Sequence, residues 1–163
     1  MRPFVSVIIP TYHDWERLKL CLEALILQTY PKERFEIIVI NNDPEDPVRE
    51  INLTPNFQII SESKPGSYAA RNKGISVAKG EILAFTDSDC IPREDWLESA
   101  VEQLLGGAER VAGHIELFFR KKELTYAEIF EKVFEFDQEE FARDGASATA
   151  NMVTYRKHFE VVG

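Results

Sequence analysis

Basic side chains are in short supply: 19 Lys and Arg stand against 28 Asp and Glu in 163 residues, a formal charge of −9. Such a chain offers a phosphate polymer no broad basic track, which argues against nucleic acid as a partner. A small nucleotide is not excluded, because a metal ion and a few placed cations can reverse the local field. Cysteine is nearly absent. Cys21 and Cys90 are the only two, neither in a C-x-x-C or other metal-like spacing; Cys21 reads as helix core, and two lone thiols suit a reducing compartment. His13, His114 and His158 are scattered, without the spacing of a zinc site or a nucleophilic triad, and read as structural or solvent-exposed. No apolar run is long enough to span a bilayer, and no signal-like apolar stretch follows Met1. The common phosphate-binding glycine motifs are missing as well. No G-x-G-x-x-G follows the first apolar run and no G-x-x-x-x-G-K-[ST] occurs anywhere, so dinucleotide and P-loop designs lose their main support. Repeats, low-complexity tracts and flexible linkers are lacking too, and the length suits one domain.

What is present alternates between strand and helix signals. Val5 to Ile9 is short, β-branched and stopped by Pro10; Trp15 to Gln28 places Trp15, Leu18, Leu22, Leu25 and Ile26 at helical intervals. Phe35 to Ile40, Phe57 to Ile60 and Ile82 to Phe85 repeat the strand pattern. A helix is expected from Ser67, as N-cap, to Lys79, with Gly80 at its C-terminus. Another is expected over Pro92 to Leu105, with Trp96, Leu97, Ala100, Val101, Leu104 and Leu105 on one face and Gly106-Gly107 ending it. Beyond Val111 an extended run reaches Phe119, then an amphipathic helix covers about Thr125 to Ala142. That helix shows a solvated face of Glu128, Glu131, Lys132, Glu135, Glu139 and Glu140. The pattern implies an α/β fold with a mostly parallel sheet flanked by helices, whose ligands gather at the carboxyl ends of the strands.

Four polar clusters follow the four strand signals: Thr11 to Asp14, Asn41 to Asp43, Ser61 to Gly66, and Asp87-Ser88-Asp89. Loops in those places line one crevice. In extended geometry Asp87 and Asp89 point the same way, and paired carboxylates invite a hard cation such as Mg2+ or Mn2+. An Asp-X-Asp alone is a weak signal, common in turns; its place in the crevice strengthens it. Gly66 to Gly74 opens a helix with small residues, so its first N–H groups suit an anion and Arg71 adds a charge one turn in. The competing reading of Arg71 is a surface ion pair. Gly74 inside that helix costs about 1 kcal/mol relative to alanine, and close packing against a strand or ligand is the expected reason. Tyr12 is either an aromatic face for a nucleobase or simple packing.

In chain order, Val5-Ser-Val-Ile-Ile-Pro-Thr-Tyr12, Glu36-Ile-Ile-Val-Ile-Asn-Asn42, Ala70-Arg-Asn-Lys-Gly74, Gly80-Glu-Ile-Leu-Ala-Phe-Thr-Asp-Ser-Asp89 and Ala150-Asn-Met-Val-Thr-Tyr-Arg-Lys157 resemble a family-2 glycosyltransferase with a GT-A, Rossmann-like fold. Each piece is weak and the ordered set is specific. The resemblance implies transfer of a sugar, with inversion, from a nucleoside-diphosphate donor to an acceptor hydroxyl in glycan or polysaccharide synthesis. By it, Pro10, Thr11 and Tyr12 line the nucleoside pocket and Arg71 lies beside base or phosphate. Asp87, with Ser88 beside it, faces the ribose or donor sugar, and Asp89, with Asp87, holds Mn2+ or Mg2+. Asn41 stands where the family has an aspartate that accepts a hydrogen bond from uracil. It can still accept one, and Asp43 can substitute, so a UDP-sugar is expected first, with GDP- or dTDP-sugars as alternatives.

The resemblance divides the chain into a donor-binding part, 1–110, and the start of an acceptor-binding part, 111–163, for a carbohydrate or lipid-linked acceptor. The family's general base is expected beyond Gly163, which makes a truncated, inactive chain one expectation. A non-catalytic nucleotide-sugar-binding domain is the alternative function. A sugar-phosphate nucleotidyltransferase would want a glycine-rich loop after the first strand, and Pro10 to Asp14 has none. The expected location is the cytoplasm, with peripheral membrane association of the full-length protein.

Overall fold

A computed structural model describes residues 2–48, 51, 56–119, 123–133 and 138–162, apart from the side chains of 131, 133, 139, 141 and 162. Its elements are β1 (Val5–Thr11), α1 (Trp15–Ile26), β2 (Phe35–Asn41), β3 (Phe57–Ser61), α2 (Ser67–Val77), β4 (Ile82–Thr86), α3 (Trp96–Leu105), β5 (Arg110–Ala112), α4 (Tyr126–Val133), α5 (Gln138–Arg143), β6 (Asn151–Tyr155) and α6 (Lys157–Val162). One six-stranded sheet runs in the order β3-β2-β1-β4-β6-β5. The first four strands are parallel neighbours, and β6 pairs antiparallel with both β4 and β5. No helix among the described residues is long and apolar enough to cross a membrane.

Strand alternation sorts the core into two layers. Val5, Val7 and Ile9 of β1 pack with Leu18, Leu22 and Leu25 of α1 and with Leu97, Val101 and Leu104 of α3. Ile8, on the opposite face, packs with Ile38, Ile40, Leu83, Phe85 and Ala70 of α2, and Phe159 of α6 closes that layer. Cys21 lies fully inside the first layer, as expected. Gly74 sits where α2 crosses the sheet: a Cβ there would lie 2.5 Å from Ile8 Cγ2 and 2.8 Å from Ile40 Cδ1, so strand packing is its reason.

Several boundaries differ from the sequence expectations. Pro10 does not stop β1, which continues to Thr11 in register with β2. Thr11 O accepts from Asn42 N on the β2 side, so Pro10 turns its missing donor toward β4, whose register with β1 has already ended at Ile8. Gly66, not Ser67, occupies the N-cap of α2, and the helix ends at Val77 before Gly80 is reached. The third expected helix begins at Trp96 rather than Pro92, and Leu105 is exposed instead of joining its buried face. Of the extended run to Phe119 only Arg110–Ala112 is strand, because β6 offers Val111 and its neighbours partners and stops there. The expected helix over Thr125 to Ala142 is found as α4 and α5 on either side of 134–137, where Glu135 lies outside the described residues.

The strand pattern of the sequence does not extend to 151–155, where the structure has β6. Its residues Asn151 and Tyr155 are only half-buried and give no clean alternation; tertiary pairing with β4 decides it.

At the amino ends of the parallel strands a buried carboxylate ties three elements together. Glu36 Oε1 accepts from Ser6 Oγ at 2.6 Å and from Lys79 N at 2.8 Å, while Ser6 Oγ accepts from Gly80 N at 2.8 Å. Replacing Glu36 with alanine takes the acceptor from the buried Ser6 hydroxyl and leaves Lys79 N only its longer bond to Ser6 Oγ at 3.2 Å, and is expected to cost about 1–3 kcal/mol in a urea unfolding titration.

Candidate functional site

The carboxyl ends of the parallel strands bring all four predicted polar clusters together. Asn42 N donates to Thr11 O at 2.9 Å and Glu62 N to Asn41 O at 2.9 Å, which extends the strand ladder into the loops. The Asn42 side chain then staples the third loop: Nδ2 donates to the carbonyls of Glu62 and Lys64 at 3.0 and 2.8 Å, and Oδ1 accepts from Gly66 N at 2.9 Å. Gly66 thus enters α2 from a fixed position. Its carbonyl receives Ala69 N and Ala70 N, which leaves the N–H groups of the first helical residues, Ser67 and Tyr68, as those that helix geometry offers to a ligand.

Arg71, one turn into α2, points back across the crevice mouth and donates to Asp87 Oδ1 through Nη2. The ion pair of the competing reading is therefore present, but with the Arg71 side chain only 14% exposed it is largely buried rather than a surface one. Arg71 Nε and Thr11 Oγ1 are both buried without a hydrogen-bond partner, and buried polar atoms of that kind call for one from a ligand or water.

Asp87 and Asp89 do not share an extended strand. β4 ends at Thr86, and Cys90 N donates to Asp87 O at 3.1 Å, closing a turn over Ser88 and Asp89. The expectation that both carboxylates point the same way is therefore corrected: Asp87 goes to Arg71, and Asp89 Oδ2 faces Arg17 Nη1 at 3.4 Å. The turn leaves Asp89 50% exposed at the crevice. Ser88 Oγ donates to Asp14 Oδ2 at 3.4 Å, and Arg17 Nε meets the same oxygen at 2.8 Å. That hydrogen bond to Asp14 is the main cause holding Arg17 above its ordinary pKa, slight burial opposing it, so the guanidinium is charged at every working pH. Burial raises the Cys90 thiol, 4.0 Å from Asp89 Oδ1, so no thiolate competes for a metal there at neutral pH.

The first and second loops carry a network that sequence spacing did not reveal. His13, in the left-handed region at φ 53°, reaches Asp43 Oδ2 at 2.9 Å through Nε2 and Asp46 Oδ2 at 3.5 Å through Nδ1. Trp15 Nε1 donates to Asp46 Oδ2 at 2.6 Å. His13 is thus half exposed, as expected, and ties the first loop to the second. Asn41 is 1% exposed; its Nδ2 donates to Asp46 O at 3.0 Å and its Oδ1 accepts from Asp43 N at 3.2 Å. Both ends of its amide brace the loop. Tyr12, 65% exposed and edge-on to His13 with centroids 4.3 Å apart, is not core packing. Sequence signals for Arg17 and Asp14 existed in their i,i+3 spacing; Asp46 and Trp15 had none.

Among the described residues no three His, Cys, Asp or Glu side chains gather as a metal site. One exposed carboxylate at Asp89 still fits Mg2+ or Mn2+, because these ions take one or two protein carboxylates and fill the remaining positions with phosphate oxygens and water.

Comparison with known proteins decides the lineage. The model of the family Glycosyl transferase family 2 matches residues 6–160. The chain belongs to glycosyltransferase family 2. Glycosyltransferase AglE of Haloferax volcanii is 37% identical over 169 residues, covering 99% of this chain and 55% of that protein. Glycosyltransferase GlyG of Streptococcus pneumoniae is 34% identical over 110 residues, covering 64% of this chain and 36% of that protein. The chain thus spans about half or less of the length of these relatives. Among solved structures, the mannosyltransferase PcManGT from Pyrobaculum calidifontis, in complex with GDP-Man and Mn2+, superposes with a TM-score of 0.71 at 22% identity, over 100% of this chain and 47% of that one. S. aureus TarS 1-349 in complex with UDP-GlcNAc gives 0.60 at 21% identity, over 75% and 37%. The fold of this family-2 domain is GT-A, the mostly parallel sheet expected from the sequence.

Proposed function

We propose that this domain holds a nucleoside-diphosphate sugar for transfer, with inversion, to an acceptor hydroxyl, and that Asp89 anchors the donor's divalent cation. The observation that carries the reading is the half-exposed Asp89 carboxylate, on the turn after β4 at the carboxyl end of the parallel strands β1 to β4. Bound Mn2+ or Mg2+ would neutralise charge on the departing diphosphate. The chain's own residues supply the rest. Asp87, pinned by Arg71, presents its carboxylate to ribose or donor-sugar hydroxyls. Ser67 N–H and Tyr68 N–H at the start of α2, with Arg71 behind them, favour an anion. Tyr12 supplies an exposed ring beside Pro10 and Thr11 for a base.

Base identity falls to Asp43 and its neighbours, since the Asn41 amide is committed to its loop. UDP, GDP and dTDP sugars all remain candidates; the complexes of TarS with UDP-GlcNAc and PcManGT with GDP-Man show GT-A relatives with either base. In this proposal residues 1–110 bind the donor and 111–163 begin the acceptor side as a division of labour within one sheet.

A thermal-shift panel of UDP, GDP, dTDP and their sugars with and without Mn2+ tests the reading. One base is expected to raise the melting temperature only when Mn2+ is present. At a ligand concentration of 100 times Kd the stabilisation is about 2.7 kcal/mol, or about 5–10 °C for a domain of this size. No metal-dependent shift with any base would overturn it.

A further inference from the structure

We propose that Arg17 is the resting counter-ion of Asp89, and that a divalent cation reaching this carboxylate must first displace one arm of the Arg17 guanidinium. The inference rests on the assignment of Asp89 as the cation's carboxylate. Arg17 lies in the first turn of α1, where the helix dipole disfavours a positive charge. Two carboxylates offset that placement, and they hold the guanidinium unequally. Nε sits 2.8 Å from Asp14 Oδ2, whereas Nη1 is 3.4 Å from Asp89 Oδ2. The Asp89 arm is the weaker one and can be released while the Asp14 arm keeps the side chain in place. Ser88 Oγ, also on Asp14, ties the turn that carries Asp89 to the same anchor. Arg17 and Asp89 are each about half exposed, so the exchange needs no rearrangement of the core.

A divalent ion outcompetes a single guanidinium arm by charge and compactness, but it does so against a standing competitor. The domain therefore has a metal affinity lower than a free carboxylate in this turn would give. The donor's diphosphate, arriving with its own negative charge, tips the exchange. Arg17 becomes a positioning residue that couples cation capture to donor arrival.

The test is Mn2+ binding by electron paramagnetic resonance to the chain, without nucleotide, in parent, Arg17→Met and Arg17→Lys forms. Arg17→Met is expected to tighten Mn2+ binding about two- to fivefold, the range that losing an exposed ion pair gives; Arg17→Lys, which keeps the charge, is expected to stay near the parent. Unchanged or weaker binding in Arg17→Met would overturn the counter-ion role while leaving the metal assignment intact. Absence of Mn2+ binding by the parent, alone and with every nucleoside diphosphate, would sink both. A measurement on the parent alone removes dependence on variant folding: the Arg17 Nη–H resonances, which belong to the arm on Asp89, are expected to shift in step with Mg2+ titration. A resonance indifferent to Mg2+ at saturation would count against the displacement.

Discussion

Replacing Asp89 with alanine removes the metal-dependent share of nucleotide binding. The side chain is 50% exposed and stands on a turn closed by backbone, not by its own carboxylate, so the variant keeps its fold. Arg17 retains Asp14 as a partner. What disappears is the oxygen ligand. Altering even the outer partners of metal ligands costs about 10–100-fold in metal affinity, so loss of the ligand itself is expected to cost about 100-fold or more. Calorimetric titration of the preferred nucleoside diphosphate, with and without Mn2+, separates the two contributions. Metal-free affinity should match the parent, and the Mn2+ enhancement should be gone. An enhancement that survives in the variant would move the cation to another carboxylate, with Asp14 and Asp87 the nearest alternatives in the network.

Gly80→Ala strikes the other end of the same strand. A Cβ at this position would lie 2.5 Å from Ser6 N and 2.6 Å from Ile82 O, both backbone atoms of the sheet, and 2.9 Å from Ser6 Oγ. Side chains can turn aside; strand backbone cannot. At Gly74 the first atoms met are the tips of Ile8 and Ile40, so that site has more room to adjust. The methyl at 80 must instead push β4 away from β1 and loosen the Ser6–Glu36 network that receives Lys79 N and Gly80 N. The expected cost is about 3 kcal/mol, the upper part of the ordinary overpacking range, seen as a fall of about 6–12 °C in melting temperature. Donor binding should weaken in parallel, because β4 aims Asp87. A melting curve superimposable on the parent's would show that the close approach relaxes without effect.

The apolar strands were readable because burial on both faces demands uninterrupted β-branched residues, and Val7, Ile8, Ile9, Ile38, Val39 and Ile40 are all fully buried. Gly74 was readable from its cost in a helix. Asp87, Asp89 and Arg71 were found through their place after strands, yet their orientation was not, since a turn over Ser88 replaces the extended geometry that spacing suggested. His13 illustrates the other kind of gap. Nothing local marks it; its partners Asp43 and Asp46 come from the next strand's loop. Arg17 and Asp89 are likewise joined only by the sheet that sets α1 beside the end of β4, and β6 acquired its identity from strands far away in sequence.

The place of β6 has a consequence for how the domain is made. Among the described residues β5 has no strand neighbour but β6, and β6 enters antiparallel between β4 and β5, pairing Thr86 with Asn151 and Ile82 with Tyr155. During synthesis, at roughly 5–20 residues per second, β4 therefore waits for several seconds with one edge of unpaired amides facing outward, an edge built from Ile82, Leu83, Ala84 and Phe85. An open apolar edge of that kind recruits other strands. The nascent chain is thus most vulnerable to aggregation between completing the donor loops and delivering Asn151 to Tyr155, and a chaperone that shields strand edges would act in that interval.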